Sequence, residues 1–369
     1  MTSTKLRAGQ GAPEAPETPA RPRSPGFQKH VPVAFLYRPR ATPYNGGHRA
    51  RGAREPKLYQ LRTERLPAMT TDKLQLHYEK TPGFLPIYRR LLLGRRARHA
   101  QGAALPHFHA TWPGARADAA LVKRYAEVCG LPDDGFYPLL YPHVLTSPIH
   151  IDFISRPEFP LSPMGAVHTR MHVLQHAPIA ADATVDIECN LTATRVLKPG
   201  IEFEITTTLS QQGVKVWESL SANLIRGKKF GEAEEPSLLA QLPDLEGDPS
   251  AYDWNVPNDM GWRYAKITGD FNPIHVSRIL ARFMGFDRDL IHGMWSAARC
   301  LGHLPQLDPA RPIRADLIFK GPVYMESAVT MKHAAGESEH IFDLYCAGNP
   351  RPVIRGRVRQ ENAGATLAP

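Results

Sequence analysis

The sequence predicts an α+β protein of antiparallel hairpins, arranged in two halves that repeat one order of elements. Three observations support this. β-Rich runs lie at 167–174, 184–197, 201–209 and 214–225, the last two joined by the turn dipeptide Gln212-Gly213. A second set follows at 313–319, 328–333, 341–346 and 353–358, with turns at Gly336 and at Gly348-Asn349-Pro350. Helical segments precede each set, and they echo one another. Tyr125-Ala126-Glu127-Val128-Cys129-Gly130 matches Tyr264-Ala265-Lys266-Ile267-Thr268-Gly269 in order, and Pro142-His143-Val144-Leu145 takes the place of Ile291-His292-Gly293-Met294.

Residues 1–68 read as a disordered, basic, Pro/Arg-rich tail, with prolines at 13, 16, 19, 22 and 25 and no sustained apolar period. No apolar core of a secretory signal follows Lys5 and Arg7. Composition changes at Met69, where translation is a candidate to start. Residues 69–228 form the first half. Phe84 to Tyr88 and Leu91 to Leu93 make an apolar cluster, and 119–129 has helical spacing at Leu121, Tyr125 and Val128 with Gly130 as its stop. Alternation in Ile201-Glu202-Phe203-Glu204-Ile205 marks a half-buried strand. A polar connector, 229–251, leads to the second half, 252–362.

Charge excludes one class of function for the body of the chain. Of 45 basic and 36 acidic residues, 13 and 4 lie in 1–68, which leaves 32 of each elsewhere. The net charge of +9 therefore belongs to the tail, and no aromatic-and-basic platform accompanies it, so no nucleic-acid partner is expected. No run of 18 apolar residues occurs, so no membrane span is expected either. Cys129, Cys189, Cys300 and Cys346 form no C-x-x-C pair, which suits reduced thiols in the cytoplasm.

Chemistry concentrates between Tyr264 and Leu304. Asp270 and His275 are five residues apart, joined by Phe271-Asn272-Pro273-Ile274. Asn272 is a good N-cap and Pro273 suits the first helical position, so a helix is expected from Pro273 to about Met284, ahead of Gly285. Asp270 then sits in the loop and His275 in the first turn, aimed at one small space. Ile291-His292-Gly293-Met294 opens a second, apolar helix, reaching about Leu304. Its glycine lets a carbonyl approach free backbone N–H groups.

The pattern Y-A-x-x-T-G-D-x-N-P-I-H, then glycine-phenylalanine and I-H-G-M, resembles the signature of the MaoC-like (R)-specific enoyl-CoA hydratases and acyl dehydratases. Thr268 stands where that family often has serine and keeps the hydroxyl. The resemblance is strong over 252–325 and extends as a tandem over about 70–360. It implies a double hotdog, two antiparallel sheets each wrapped around a central helix. The first half resembles the degenerate leading unit of tandem acyl dehydratases through Tyr141-Pro142-His143-Val144-Leu145 and the run FPLSPMGAVHTRMHV at 159–173, and it lacks D-x-N-P-x-H, with Leu131-Pro132-Asp133-Asp134 following Gly130.

What the resemblance implies is syn hydration of a trans-2-enoyl thioester to an (R)-3-hydroxyacyl thioester, or the reverse. Asp270 and His275 would hold the water, the Gly293 N–H would hold the thioester carbonyl, and Asn272 and Thr268 would support the loop. No separate cofactor is implied, since CoA or a carrier-protein phosphopantetheine is part of the substrate. An acyl carrier protein would be a partner where the thioester is carrier-bound, and the chain is expected as a monomeric pseudo-dimer or a homodimer. Arg314 and Lys320 are candidates for CoA phosphates. His292 reads as a structural hydrogen-bonder beside a glycine turn. His168, His172 and His176 recur every four residues, but on a strand and without a completing ligand, so no metal is expected. A hotdog acyl-CoA thioesterase and a non-catalytic acyl-thioester-binding protein are the alternatives.

Overall fold

The computed structural model describes residues 74–94, 105–163, 165–227, 232–237 and 240–367. The tail 1–68 lies outside them. The first half contains β1 (Leu74–His77), α1 (Phe84–Leu93), β2 (Phe108–Arg116), α2 (Ala119–Cys129), α3 (Tyr141–Ser155), β3 (Val167–Gln175), β4 (Thr184–Leu197), β5 (Gly200–Gln211) and β6 (Val214–Arg226). The second contains β7 (Ser250–Asn255), α4 (Met260–Thr268), α5 (Pro273–Val276), α6 (Arg278–Phe283), α7 (Gly293–Leu301), β8 (Ile313–Phe319), β9 (Ala328–Ala335), β10 (Glu339–Cys346) and β11 (Ile354–Gln360).

One sheet of eleven strands runs in the order β1-β2-β4-β5-β6-β3-β8-β11-β10-β9-β7. From its middle outward, β3, β6, β5, β4 and β2 mirror β8, β11, β10, β9 and β7, so the two half-sheets are copies joined along an antiparallel β3–β8 seam. The seam removes an exposed edge from each half. Only β1 falls outside the symmetry, pairing in parallel with β2. Alternation made these strands legible. In β5, Phe203, Ile205, Thr207 and Leu209 are buried, and the hairpin to β6 turns on Gln212 (φ 52°) and Gly213 (φ 79°), a primed turn matched to strand twist.

Each half-sheet packs on its own central helix, as a double hotdog requires. α3 buries Val144, Ile149 and Phe153, and α7 buries Met294, Trp295, Ala297 and Ala298, so one apolar core runs through both halves. Helix α2 faces α4 across the pseudo-symmetry axis, with the Tyr125 and Tyr264 rings 6.1 Å apart. Gly130 and Gly269 end these helices in the left-handed region (φ 67° and 73°), where glycine carries no Cβ penalty. Even the isolated bridges correspond: Phe136 pairs with Ala180, and Leu290 with Tyr324.

Beyond β1 and α1, which have no counterpart among the described elements of the second half, the halves differ in the passage between their first and central helices. Eleven positions lead from Gly130 to the start of α3, and twenty-four from Gly269 to the start of α7. The longer passage holds α5 and α6. The helix expected from Pro273 to Met284 is in fact two, broken at Ser277 (φ −147°, ψ 114°). The Ser277 side chain accepts from Leu280 N–H at 3.3 Å, so a serine cap restarts the chain in a new direction. α7 starts at Gly293 as expected but stops at Leu301 rather than near Leu304. Among the described residues, no helix is long and apolar enough to cross a membrane.

Candidate active site

Helix α4 ends at Thr268 and the chain turns through Gly269 into the loop that carries Asp270. Gly269 O accepts from Phe271 N–H at 3.1 Å, which places Asp270 at the centre of a three-residue turn. Thr268 Oγ1 donates to Tyr264 O at 3.1 Å, and its oxygen accepts from Asp270 N–H at 3.2 Å. Asp270 Oδ1 accepts from Asn272 N–H at 3.1 Å, leaving Oδ2 for the site. The Asn272 side chain caps α5 through Ile274 N–H at 3.4 Å. Thus Thr268 and Asn272 both shape the loop, by bonds to its backbone.

His275, in the first turn of α5, has Nδ1 2.8 Å from Leu290 O. A carbonyl only accepts, so Nδ1 carries the proton and Nε2 presents a lone pair. His292 precedes α7 and is 4 % exposed. Its Nε2 donates to Asp270 O at 2.9 Å, and its ring stacks on His275 with centroids 3.8 Å apart. One donor atom each from Asp270, His275 and His292 lies within 4.8 Å of the other two. Such a cluster can grip a water, and among the described residues it is also the one His/Cys/Asp/Glu group spaced to hold a cation.

Protonation states follow from the surroundings. Packing around the Asp270 carboxyl pushes its pKa up, but His292, His275 and the Asn272 N–H outweigh this and hold it below the usual carboxylate value. The side chain remains 39 % exposed. Burial lowers the His275 pKa from 6.5, against the opposing pull of Asp270 and Leu290 O. Burial, then His275, drives His292 down to about 3. At neutral pH the cluster is therefore one carboxylate beside two neutral imidazoles.

Gly293 opens α7, so its N–H has no intrahelical acceptor. A Cβ there would meet the Phe319 ring at 3.0 Å, a closer approach than ordinary packing gives. The glycine lets β8 and the helix start come together beside the cluster. The CoA candidates are placed differently. Arg314 is buried in β8, and its Nε donates to both Asp316 oxygens at 3.0 and 3.1 Å, so it is withdrawn from any phosphate. Lys320 is exposed, one residue beyond Phe319. The histidines of β3 separate: His168 meets Ser221 Oγ, His172 meets Asp316 and His176 meets Glu218.

Residues of the first half also reach this loop, from outside its sequence motif. Tyr88 of α1 bridges Gly269 and Phe271, and His143 of α3 lies close enough to Asp270 to feel its charge. Their positions in the chain are more than 120 residues from the motif, and neither belongs to it. His143 was visible only as part of the weak echo of Ile291-His292.

Residues 244–347 match the family model described as MaoC like domain. Over 242 residues the chain is 29 % identical to 3-hydroxyacyl-thioester dehydratase X of Mycobacterium tuberculosis, covering 66 % of this chain and 85 % of that protein. A shorter match, 34 % over 70 residues, covers 18 % of this chain and 52 % of the (R)-specific enoyl-CoA hydratase of Aeromonas caviae. The crystal structure of HtdX from M. tuberculosis superposes with a TM-score of 0.59 at 26 % identity, covering 69 % of this chain and all of that one. The MaoC-like dehydratase of Phytophthora capsici also gives 0.59, at 19 % identity over 70 % of this chain and 96 % of that one, and shares the fold. The chain carries a MaoC-like dehydratase domain, set in the second half of a double hotdog.

Proposed function

We propose that this chain catalyses the reversible hydration of trans-2-enoyl thioesters to (R)-3-hydroxyacyl thioesters. The observation that carries the reading is the fixed tautomer of His275. With Nδ1–H tied to Leu290 O, the bare Nε2 faces the same space as the ionised Asp270 carboxylate. A water between them is held by two acceptors. Asp270 orients it, and His275 Nε2 takes one of its protons as the hydroxyl adds to C3. The same imidazolium returns that proton to C2, so the elements of one water add across the double bond and nothing else is consumed. Both new bonds come from one face, which makes the addition syn and the product single-handed.

Electron density moves onto the thioester carbonyl during this step. The Gly293 N–H, at the positive end of α7, is suited to receive it. A ready donor in a partly dry site commonly contributes about 3 kcal/mol to the barrier, or roughly a hundredfold in rate. The names of the relatives, a 3-hydroxyacyl-thioester dehydratase and an enoyl-CoA hydratase, support the same substrate class. CoA or a carrier-bound phosphopantetheine is the handle, with Lys320 the remaining candidate for a phosphate contact.

The test follows enoyl absorbance and free thiol together, on trans-2-enoyl-CoA of short and long chain and on a carrier-linked substrate. Absorbance should fall while the thioester stays intact. Release of free CoA with no 3-hydroxyacyl product would instead make the protein a thioesterase.

A further inference from the structure

The half that lacks the acid–histidine pair nevertheless supplies a residue to the loop that bears it. Helix α1 lies on the central helix of its own half: Ile87 is fully buried, and Arg90 pairs with Asp152 and donates to Ser155 Oγ at 3.1 Å. Phe84 and Tyr88, four residues apart and so on one side of α1, point the other way. The Phe84 ring covers Gly269 so closely that a Cβ there would sit 1.8 Å from it. The Tyr88 hydroxyl donates to Gly269 O at 3.1 Å and accepts from Phe271 N–H at 2.8 Å. These two groups are the ends of the turn centred on Asp270. One phenol therefore staples both ends.

We propose that Tyr88 is a positioning residue for Asp270, so that the non-catalytic half sets the geometry of the catalytic one. From the second half, Thr268 Oγ1 accepts from Asp270 N–H and His292 donates to Asp270 O, and from α3 the Ser147 hydroxyl donates to Thr268 O at 3.3 Å. Tyr88 alone reaches in from α1. Without its hydroxyl, Phe271 N–H keeps only the bond within the turn at 3.1 Å, and Gly269 O loses the phenol donor. The turn then opens, and the Asp270 carboxylate moves off the line set by His275. A misplacement of about 1 Å can cost up to a hundredfold in rate. Tyr88 stays protonated, since burial and the Asp270 charge push its pKa up to about 12. The staple therefore holds throughout the working pH range.

The kinetic arm of the test rests on the hydratase reading, while the second arm does not. Tyr88→Phe keeps the ring and removes the hydroxyl. Turnover should fall about tenfold, equivalent to about 1.4 kcal/mol, with KM within about twofold of wild type. Amide hydrogen exchange at Phe271 should accelerate at least tenfold. Tyr137→Phe, which removes a buried hydroxyl that accepts from Ala117 N–H far from the loop, should change neither. Phe84→Leu, which thins the cover over Gly269 but keeps the hydroxyl, should give the same two changes in weaker form. It serves in place of Tyr88→Phe if that variant does not fold. Wild-type turnover and unaltered exchange at Phe271 in Tyr88→Phe would overturn the proposal. If the wild type itself does not hydrate enoyl thioesters, the functional reading fails, and exchange at Phe271 still decides the role of Tyr88.

Discussion

His275 and His292 stack at 3.8 Å yet carry their protons on opposite nitrogens: His275 Nδ1–H points to Leu290 O, and His292 Nε2–H points to Asp270 O. One ring offers a lone pair to the cluster, and the other holds the backbone of the acid. Their losses should differ in kind. His275→Ala should lower turnover by about 10³, within the range for a general base. His292→Phe keeps the stack but loses the bond to Asp270 O and the imidazole beside the carboxyl, so a drop of about tenfold is expected. Steady-state kinetics on both variants decide this, and equal losses would contradict the division of roles.

The pH profile should fall on the acid side through a single group. His275 must be neutral, and its pKa lies below 6.5, so turnover should be flat from pH 7 to 8 and decline as pH drops below the ordinary histidine range. A decline centred above pH 7 would exclude His275 as the base.

Stability should fall over the same acid range for a wider reason. Burial holds His143 at about 4, His168 at about 3 and His150 well below 6.5, beside His292 at about 3. Between these values and 6.5 the unfolded chain binds more protons than the folded one, so stability rises with pH and is lost as pH falls. Each group adds a slope approaching about 1.4 kcal/mol per pH unit. Urea midpoints from pH 7 to 5 should drop steeply, and His168→Gln should flatten the slope by about one proton.

The seam between the halves carries a buried polar cluster. His172 of β3 lies opposite Asp316 of β8, and the buried carboxylate also takes Arg314 at 3.0 Å and Arg359 at 3.3 Å. Asp316→Ala leaves the Arg314 guanidinium without its anion, while Arg359 keeps Glu361 at 2.7 Å, and breaking such a buried pair costs about 3–5 kcal/mol. Chemical denaturation should register that loss. A change under about 1 kcal/mol would mean the seam relies on its backbone ladder alone.

Gly293 is constrained by Phe319. Gly293→Ala should reduce turnover about tenfold, because the new methyl pushes on the ring and tilts the start of α7. Phe319→Leu in the same chain should recover most of it. Failure of that rescue, assayed by initial rates, would remove the packing explanation.

Much of this molecule was legible because local rules and tertiary structure agree. The β5–β6 hairpin shows period-two alternation and a Gln212-Gly213 turn, and α2 ends where Gly130 says it should. The loop Asp270–His275 reads directly as a capped helix entry. Other parts needed the fold. β2 is not legible locally because Pro113 and Gly114 (φ 65°) interrupt its alternation at a bulge, and β7 lies at the end of a polar connector. Ser277 broke a helix that periodicity carried onward. Arg314 looked available on its strand until the seam placed Asp316 beside it. Tyr88 carries no local signal, since its contact with the loop spans 181 residues of chain.

The central claim is that one water, held by Asp270 and His275, adds to one face of an enoyl thioester. It is tested most directly by incubating wild type, Asp270→Asn and His275→Ala with trans-2-enoyl-CoA in D2O. The products are then scored for handedness at C3 and for the relative placement of deuterium at C2. The expected outcome is an (R)-3-hydroxyacyl product with deuterium and hydroxyl added syn, and folded variants slower by about 10³. A racemic or anti product, or full activity in either variant, would contradict it.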